Sequence, residues 1–259
     1  MSVTELMALA AAAAAAGVIN AIAGGGTLIT FPVLMLFGTS PLIANATSTV
    51  ALTIGTAGSI FGYREQVATV KPWLRRFVLV SIAGGWCGSL LLTRTNDAVF
   101  ARLVPFLILF ATVLFFAQGA FRRFAVRDEN DAGGPSALPG WFSGAVVFQF
   151  VVAIYGGYFG AGIGILMLAS LGLIGLTNIH QMNALKTVLG SLINFVAAAW
   201  FTISGLIDWP RAGVMTAGAL VGYYFGARYS QRFSQQRVRQ MITAIGLVIS
   251  AVMFYRQFR

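Results

Sequence analysis

The chain has 259 residues, of which 58% are hydrophobic and only 9% are charged, and its formal net charge at pH 7 is +10. Soluble domains usually have about a quarter of their residues charged, so this composition excludes an ordinary soluble protein and indicates one that crosses a membrane repeatedly. The positive charge does not indicate a nucleic-acid partner, because no basic stripe alternates with aromatic residues on a solvated segment.

Apolar segments follow one another along the chain in two sets of five. The first set covers about residues 4–22, 27–38, 43–62, 74–93 and 99–118, and the second covers about residues 140–159, 164–176, 181–203, 210–229 and 237–255. The second segment of each set would form only about 18 Å of helix, whereas a hydrocarbon core is about 30 Å thick. We therefore predict an all-α membrane protein in which each set contains one broken or re-entrant segment.

The two sets are related by an internal repeat, because the same residues recur at a constant offset. The matched pairs include Gly24 with Gly162, Gly26 with Gly164, Asn45 with Asn183, Thr49 with Thr187, and Gly84 with Gly222. We predict a first transmembrane repeat at residues 1–121, a cytoplasmic linker at residues 122–139 and a second repeat at residues 140–259.

Basic residues between the segments predict the orientation of the chain, since cytoplasmic loops are enriched in them. They form three groups: Arg64, Lys71, Arg75 and Arg76; Arg122, Arg123 and Arg127; and Arg228, Arg232, Arg237 and Arg239. All three groups fall on one side only if each half crosses an odd number of times. Five crossings per half predict inverted repeats in a bacterial inner membrane with both termini periplasmic, and Arg256 and Arg259 are the exceptions to this pattern. No Lys or Arg precedes the first apolar run, so we interpret it as a retained helix and not as a signal peptide.

Glycine-rich breaks precede both short segments. They contain Gly24, Gly25 and Gly26 in the first half, and Gly162 and Gly164 in the second. Glycine allows the backbone to leave helical geometry, and a helix that starts there presents free N–H groups to an anion. Leu28 and Ile29 stand where a P-loop would need a lysine and a hydroxyl, which excludes nucleotide binding. A second set of glycines, Gly84, Gly88, Gly222 and Gly226, predicts close helix packing.

A polar stripe runs along the helix after each short segment. Its members are Asn45, Ser48, Thr49, Thr53 and Thr56 in the first half, and Asn183, Lys186, Thr187, Ser191 and Asn194 in the second. Their spacing of three to four residues places them on one helical face, which should not face lipid. The stripes could form hydrogen bonds between helices, or they could face a shared cavity, and we favour the cavity.

Lys186 is the most informative single residue of these stripes. A lysine deep inside a membrane span costs about 2.5–3.5 kcal/mol on insertion scales, so it needs a functional or structural reason. It could extend towards the membrane interface, or it could bind an anion together with Asn183 and Thr187. His180, just before this helix, is expected to cap it or to lie at the interface, with a proton-handling role as the alternative.

Several functional groups are missing from the apolar segments. All seven acidic residues lie at or near segment ends, which argues against a proton relay or a strong cation site within the membrane. Cys87 is the single cysteine, so an intrachain disulfide or a thiolate metal cluster is excluded. No catalytic triad or carboxylate pair is present, so we predict neither an enzyme nor a metal or other cofactor.

The chain resembles the TauE/SafE (TSUP) family of sulfite and organosulfonate transporters. The resemblance rests on the stretch from Asn20 to Pro32, which reads NAIAGGGTLITFP, and on residues 44–49, ANATST. The second copy reads GAGIGI at residues 160–165 and NALKT at residues 183–187, with Lys186 at the position of Ser48. The resemblance implies transport of a small sulfur-containing anion such as sulfite or sulfoacetate.

Together these features predict an inner-membrane transporter that binds its anion between the repeats near the midplane and alternates access by rocking. The candidate binding residues are Asn20, Gly24, Gly25, Gly26, Asn45, Ser48, Thr49, Gly162, Gly164, Asn183, Lys186, Thr187, Ser191 and Asn194. The alternatives are an anion channel with the same residues and a membrane scaffold in which the stripes only pack helices. The expected partners are the anion and membrane lipids, and a homodimer, the coupling ion and the direction of transport are left open.

Overall fold

The computed structural model describes residues 1–22, 24–62, 70–125, 139–173, 176, 179–229 and 235–258. In these ranges the chain forms ten α-helices and no β-strand. In chain order the helices are α1 (Val3–Ile22), α2 (Thr27–Leu36), α3 (Pro41–Gly62), α4 (Lys71–Arg94), α5 (Asp97–Ala125), α6 (Pro139–Tyr158), α7 (Ile163–Leu173), α8 (Ile179–Ile203), α9 (Trp209–Tyr229) and α10 (Gln235–Phe258).

Each predicted apolar segment corresponds to one of these helices, which confirms the all-α prediction for the described residues. Five of them, α1, α4, α5, α8 and α10, are long and apolar enough to cross a membrane. The two short segments are helices of 10 and 11 residues, α2 and α7. One boundary differs, because α5 continues to Ala125 and so enters the region predicted as a linker. Residues 118–125 contain no proline and are rich in good helix formers, so nothing ends the helix at residue 122. The rest of that linker, residues 126–138, lies outside the described residues.

Two helix pairs pack most closely in the bundle, and each pair takes one helix from each half. In the pair of α1 and α9, a side chain at Gly222 would overlap the carbonyl oxygen of Ala14. In the pair of α4 and α6, a side chain at Gly88 would overlap the carbonyl oxygen of Ile154. Such contacts between backbones are possible only where the side chain is a hydrogen atom. The packing role predicted for these glycines is therefore confirmed.

The short helices α2 and α7 begin beside each other and end at opposite ends of the bundle. Phe31 of α2 packs edge to face against Phe159, which lies just before α7, with ring centroids 5.6 Å apart. The far end of α7 packs at the α4 end of the bundle, where Leu171 joins a buried cluster with Val70 and Met182. The far end of α2 lies at the other end, beside the first residues of α1.

A partly buried ion network joins helices at the end of the bundle where α1 begins and α2 ends. The guanidinium of Arg211, in the first turn of α9, lies 2.7 Å from a carboxylate oxygen of Glu5 and 2.7 Å from one of Asp208. It also donates a hydrogen bond of 3.2 Å to the carbonyl oxygen of Phe37, just past the end of α2. One arginine therefore joins the start of α1, the end of α2 and the start of α9.

Candidate substrate-binding site

A cavity of about 440 Å³ lies where the two glycine breaks meet. Its wall consists of the end of α1, both breaks, the starts of α2 and α7, and the polar faces of α3 and α8. Most of the predicted binding residues line it: Asn20, Gly24, Gly25, Thr49, Gly162, Gly164, Asn183, Lys186, Thr187, Ser191 and Asn194. Three do not belong to the lining, and these are Gly26, Asn45 and Ser48.

The glycine breaks adopt the backbone conformation that only glycine tolerates easily. Gly24, Gly25 and Gly162 have φ values of +79°, +97° and +77°, which L-residues with side chains rarely adopt. Gly24 and Gly162 are equivalent positions of the repeat, so both breaks have a left-handed residue at the same place. After each turn a short helix starts at the cavity, and several N–H groups of its first turn bond back to the break. Leu28 donates to the carbonyl oxygen of Gly25 at 3.0 Å, and Ile165 donates to that of Gly162 at 3.0 Å. The positive ends of the two helices therefore point towards the same space.

The polar side chains of α8 are open to this cavity. Within the described residues, none of Asn183, Lys186, Thr187, Ser191 and Asn194 forms a side-chain hydrogen bond, and none of their polar atoms is sealed off from the cavity. Polar groups inside a membrane protein normally find acceptors or donors, because unpaired groups are costly there. This face of α8 is therefore available to water or to a ligand.

Lys186 is the cation of this site. Its aliphatic chain passes Gly164 at the start of α7, where a Cβ atom would lie 3.2 Å from the lysine Cδ. In the described part of the chain no carboxylate pairs with its ammonium, because the two ion pairs found there both belong to Arg211. Gly164 thus leaves the space through which the lysine reaches the cavity. An unpaired ammonium between two helix starts attracts an anion.

The hydroxyl groups of α3 are arranged differently, because they bond to the helix that carries them. Thr49 donates to the carbonyl oxygen of Asn45 at 2.8 Å, and Thr53 donates to that of Thr49 at 2.6 Å. Thr56 continues the series with a bond of 2.8 Å to the carbonyl oxygen of Thr53. Threonine often makes such bonds to the preceding turn of a helix. Thr49 and Thr56 still line the cavity, but their protons are already donated.

Ser48 and Asn45 hold other parts of the site together. The Ser48 hydroxyl is fully buried and lies 2.6 Å from the hydroxyl of Thr30 on α2, so it joins α3 to the first short helix. The Asn45 amide donates to the carbonyl oxygen of Tyr158 at 3.0 Å, at the end of α6 just before the second break. The side-chain oxygen of Asn45 is buried without a hydrogen bond among the described residues. These contacts explain why neither residue reaches the cavity.

Asn20 shapes the first break. Its side-chain oxygen accepts the N–H of Gly26 at 2.6 Å, and its amide nitrogen donates to the hydroxyl of Tyr223 at 2.9 Å. The N–H of Gly26 is therefore not free for a ligand, contrary to the role expected for this glycine in the sequence. Asn20 is held between the break and α9, and it lines the cavity from that position.

Aromatic residues that the sequence patterns did not indicate complete the wall of the cavity. Tyr223 of α9 packs its ring on Gly55, and Phe115 of α5 packs its ring on Gly25, so that a side chain at either glycine would overlap the ring. Phe159 lines the cavity near the second break. Their segments have no polar pattern, and the repeat places Gly85 opposite Tyr223, so neither signal identifies them. The cavity therefore has one polar wall and one aromatic wall.

Other parts of the sequence-based prediction are not placed at the cavity. The side chain of His180 lies outside the described residues. Within the described residues, no group of three His, Cys, Asp or Glu side chains could hold a metal ion. The groups that the cavity offers to a ligand are an ammonium, amides, hydroxyls and backbone N–H groups.

Comparison with known proteins identifies the family. The family model described as sulfite exporter TauE/SafE matches residues 9–253. The chain belongs to the TauE/SafE family. Among curated relatives, a probable membrane transporter protein of Haemophilus influenzae is 30% identical over 246 residues, which cover 93% of this chain and 91% of the relative. The probable membrane transporter protein YfcA of Escherichia coli K12 is 29% identical over 242 residues, covering 93% and 86% of the two chains. No solved structure matches the chain significantly.

Membership of the TauE/SafE family confirms the resemblance noted in the sequence. The protein is a multi-pass membrane transporter of this family, and its apolar helices agree with that assignment. The curated relatives are named as transporters, which agrees with a protein that is not an enzyme. Their names do not specify a substrate, so the substrate must be argued from the cavity.

Proposed function

We propose that this TauE/SafE protein transports a small sulfur-containing anion, such as sulfite, sulfoacetate or a related organosulfonate, which binds in the cavity between the two glycine breaks. The observation that supports this most strongly is the unpaired ammonium of Lys186 on a wall of unbonded polar side chains. None of the described residues that line the cavity is acidic. The charge of an anionic substrate would therefore be complemented, whereas a cation would meet a like charge.

The donors are of the types that bind a sulfonate or sulfite group well. Lys186 would supply a charge-assisted hydrogen bond, and Asn183, Thr187, Ser191 and Asn194 would supply neutral donors around it. The helix dipoles at the starts of α2 and α7 would add a favourable potential without adding a charged side chain. Phe115 and Phe159 would contact the carbon-bearing part of an organosulfonate, since an aromatic wall offers no donor to an oxygen atom.

We also propose that the halves are inverted repeats and that the transporter alternates access. Two features support this: α2 and α7 run to opposite ends of the bundle, and α1 packs on α9 as α6 packs on α4. Broken helices that meet at a central site are typical of inverted-repeat transporters. The glycine contacts make rocking of one sequence half against the other unfavourable, because α1 is interlocked with α9. The moving bodies would instead be the α1–α9 pair and the α4–α6 pair, each with helices from both halves.

The proposal is tested by measuring the melting temperature of the purified protein with sulfite, sulfoacetate, taurine, thiosulfate, sulfate and lactate. A ligand at a hundred times its Kd stabilises the folded state by about 2.7 kcal/mol, and one sulfur anion should therefore raise the melting temperature. The shift should disappear in Lys186→Ala and persist in Lys71→Ala, which removes an exposed lysine at the start of α4. No shift with any anion, or an equal shift in Lys186→Ala, would contradict the proposed site.

Flux through proteoliposomes separates transport from the two alternatives. A carrier should exchange labelled substrate against a gradient of unlabelled substrate, because the site alternates between the two sides. A channel should show high flux without this counterflow. A scaffold should show neither flux nor binding, and Lys186→Ala should then change only its stability.

A further inference from the structure

A second depression, away from the substrate cavity, lies on the outside of the bundle between α2, α5 and α10. It has a volume of about 500 Å³, and we name it the α5–α10 groove. Its walls are mainly apolar and include Met35, Pro105, Val248 and Val252, whereas Arg102 and Arg256 also line it. Leu36, Val248 and Val252 are exposed there, so the groove opens towards the surroundings of the bundle and not towards its core.

The two arginines lie at one level of the groove, close to the ends of their helices. Arg102 is five residues after the start of α5 and Arg256 is two residues before the end of α10, so both lie within about 8 Å of a helix end at 1.5 Å per residue. The rings of Phe106 and Phe254 pack edge to face with centroids 4.9 Å apart and join the two helices next to the arginines. Because the ends of membrane-spanning helices lie near the membrane surface, we expect the charges at the depth of lipid headgroups and the apolar walls in the hydrocarbon.

Neither arginine is explained by the rest of the protein. Within the described residues, neither guanidinium forms an ion pair or a hydrogen bond. Arg256 is also on the side that the loop charges predict to be periplasmic, where positive residues are not needed for orientation. An arginine pair beside an apolar groove suits an anionic ligand that also has a long apolar part.

We propose that the α5–α10 groove binds an anionic glycerophospholipid, with its phosphate between Arg102 and Arg256 and an acyl chain along the apolar wall. Charge complementarity favours a phosphodiester over a zwitterionic headgroup, because each basic residue near a membrane surface strengthens binding of anionic lipid. Arginine is suited to this contact because its planar guanidinium donates two parallel hydrogen bonds to phosphate oxygens. The lipid would contact the end of α2, the short helix whose start lies at the substrate cavity.

The test measures lipid binding to the intact purified protein after removal of native lipid, by native mass spectrometry with phosphatidylglycerol and with phosphatidylcholine. The wild type should bind phosphatidylglycerol preferentially, and the double variant Arg102→Gln with Arg256→Gln should bind it about 30-fold more weakly. Arg94→Gln is the matched control, because Arg94 is an exposed arginine at the same end of the bundle but outside the groove. Equal loss of lipid binding in Arg94→Gln would overturn the proposal, since it would indicate attraction by general surface charge.

Further variants separate the charge from the apolar wall. Arg102→Lys with Arg256→Lys should retain most of the preference, whereas Val252→Trp should fill the groove and weaken binding with both arginines present. If glycerol phosphate alone competes as well as the whole lipid, the groove is a simple anion site and the lipid proposal is wrong. If the wild type is a dimer that Val252→Trp converts to a monomer without changing lipid binding, the groove is a subunit interface and the proposal is also wrong.

Discussion

The polar faces of α3 and α8 come from the same repeated pattern, yet they have different surroundings. On α3 the hydroxyls of Thr49, Thr53 and Thr56 bond to their own helix, and Ser48 bonds to α2. On α8 the equivalent face has five polar side chains without hydrogen bonds among the described residues, and all five line the cavity. One copy of the repeat thus builds the site while the other supplies the groups that a ligand can use.

The difference is sharpest at one pair of equivalent positions, Ser48 and Lys186. Ser48 is fully buried against Thr30, so this position in the first half has no room for a long charged side chain. Lys186 passes a glycine and reaches an open cavity. The two repeats therefore differ at positions 48 and 186, and only the second repeat places a positive charge in the cavity.

Exchanging the residue types at positions 48 and 186 should produce the largest changes in stability and in anion binding. Ser48→Lys would bury an unpaired ammonium against α2, and it should reduce the free energy of unfolding by at least about 3 kcal/mol. Lys186→Ser should leave the melting temperature without ligand nearly unchanged but abolish stabilisation by the anion. Thermal unfolding of both variants, with and without anion, measures this. A Ser48→Lys variant that folds and restores anion binding in the Lys186→Ser background would contradict the asymmetry.

Alanine variants of the two repeated asparagines should have different effects, one on folding stability and the other on anion binding. Asn45→Ala removes the bond to the carbonyl oxygen of Tyr158 and should lower the free energy of unfolding by about 1 kcal/mol. Asn183→Ala removes only a group that faces the cavity, and it should weaken anion binding by about 1 kcal/mol, or roughly fivefold. Denaturant unfolding and anion titration of both variants distinguish these effects. The reverse result, with Asn45→Ala affecting only binding, would show that α3 supplies the ligand donors.

The paired threonines offer a smaller test with little change of shape. Thr187→Val should weaken anion binding by about 0.5–1.5 kcal/mol, because an unbonded hydroxyl is lost from the cavity. Thr49→Val should change the affinity by less than about 0.5 kcal/mol, since its hydroxyl is already bonded to Asn45. Calorimetric titration of the two variants provides the comparison. Equal losses would indicate that the two helices contribute equally.

Gly164→Ala should have the smallest effect on anion affinity, because it acts only by displacing the side chain of Lys186. A Cβ atom there would lie 3.2 Å from the Cδ of Lys186 and would displace it, so we expect a loss of affinity of about threefold. Gly190→Ala is the control, because Gly190 also lines the cavity but a Cβ there would meet only the Met167 sulfur at 3.8 Å. Anion titration compares the two alanine variants. A larger loss in Gly190→Ala would show that Gly164 does not position the lysine.

Much of the fold could be predicted from sequence because the signals are local. Ten apolar segments with two short members, glycine breaks and paired packing glycines all follow from hydropathy, length and backbone freedom. The end of α5 was missed because Arg122 and Arg123 were interpreted as part of a linker, although arginine is a good helix former. The basic residues indicated a loop in this region, but they did not indicate where the helix ends.

The use of each polar residue could not be predicted from the spacing of the stripes. A threonine that bonds to the preceding turn and one that faces a cavity have the same helical position, and only the neighbouring helices decide between them. Asn45 is drawn to Tyr158 and Ser48 to Thr30 by tertiary contacts that the repeat does not encode. Tyr223 and Phe115 reach the cavity from helices without any polar pattern. Lys186 was found because its charge is unusual at any depth in a membrane span.

The central claim is that Lys186 provides the charge that binds the transported anion. Calorimetric titration of the purified protein with the anion that stabilises it most should be compared for the wild type, Lys186→Gln and Lys71→Gln. A charge-assisted hydrogen bond contributes about 1.5–3 kcal/mol, so Lys186→Gln should raise the Kd at least about tenfold, while Lys71→Gln should leave it unchanged. A folded Lys186→Gln variant with the wild-type Kd would contradict the account.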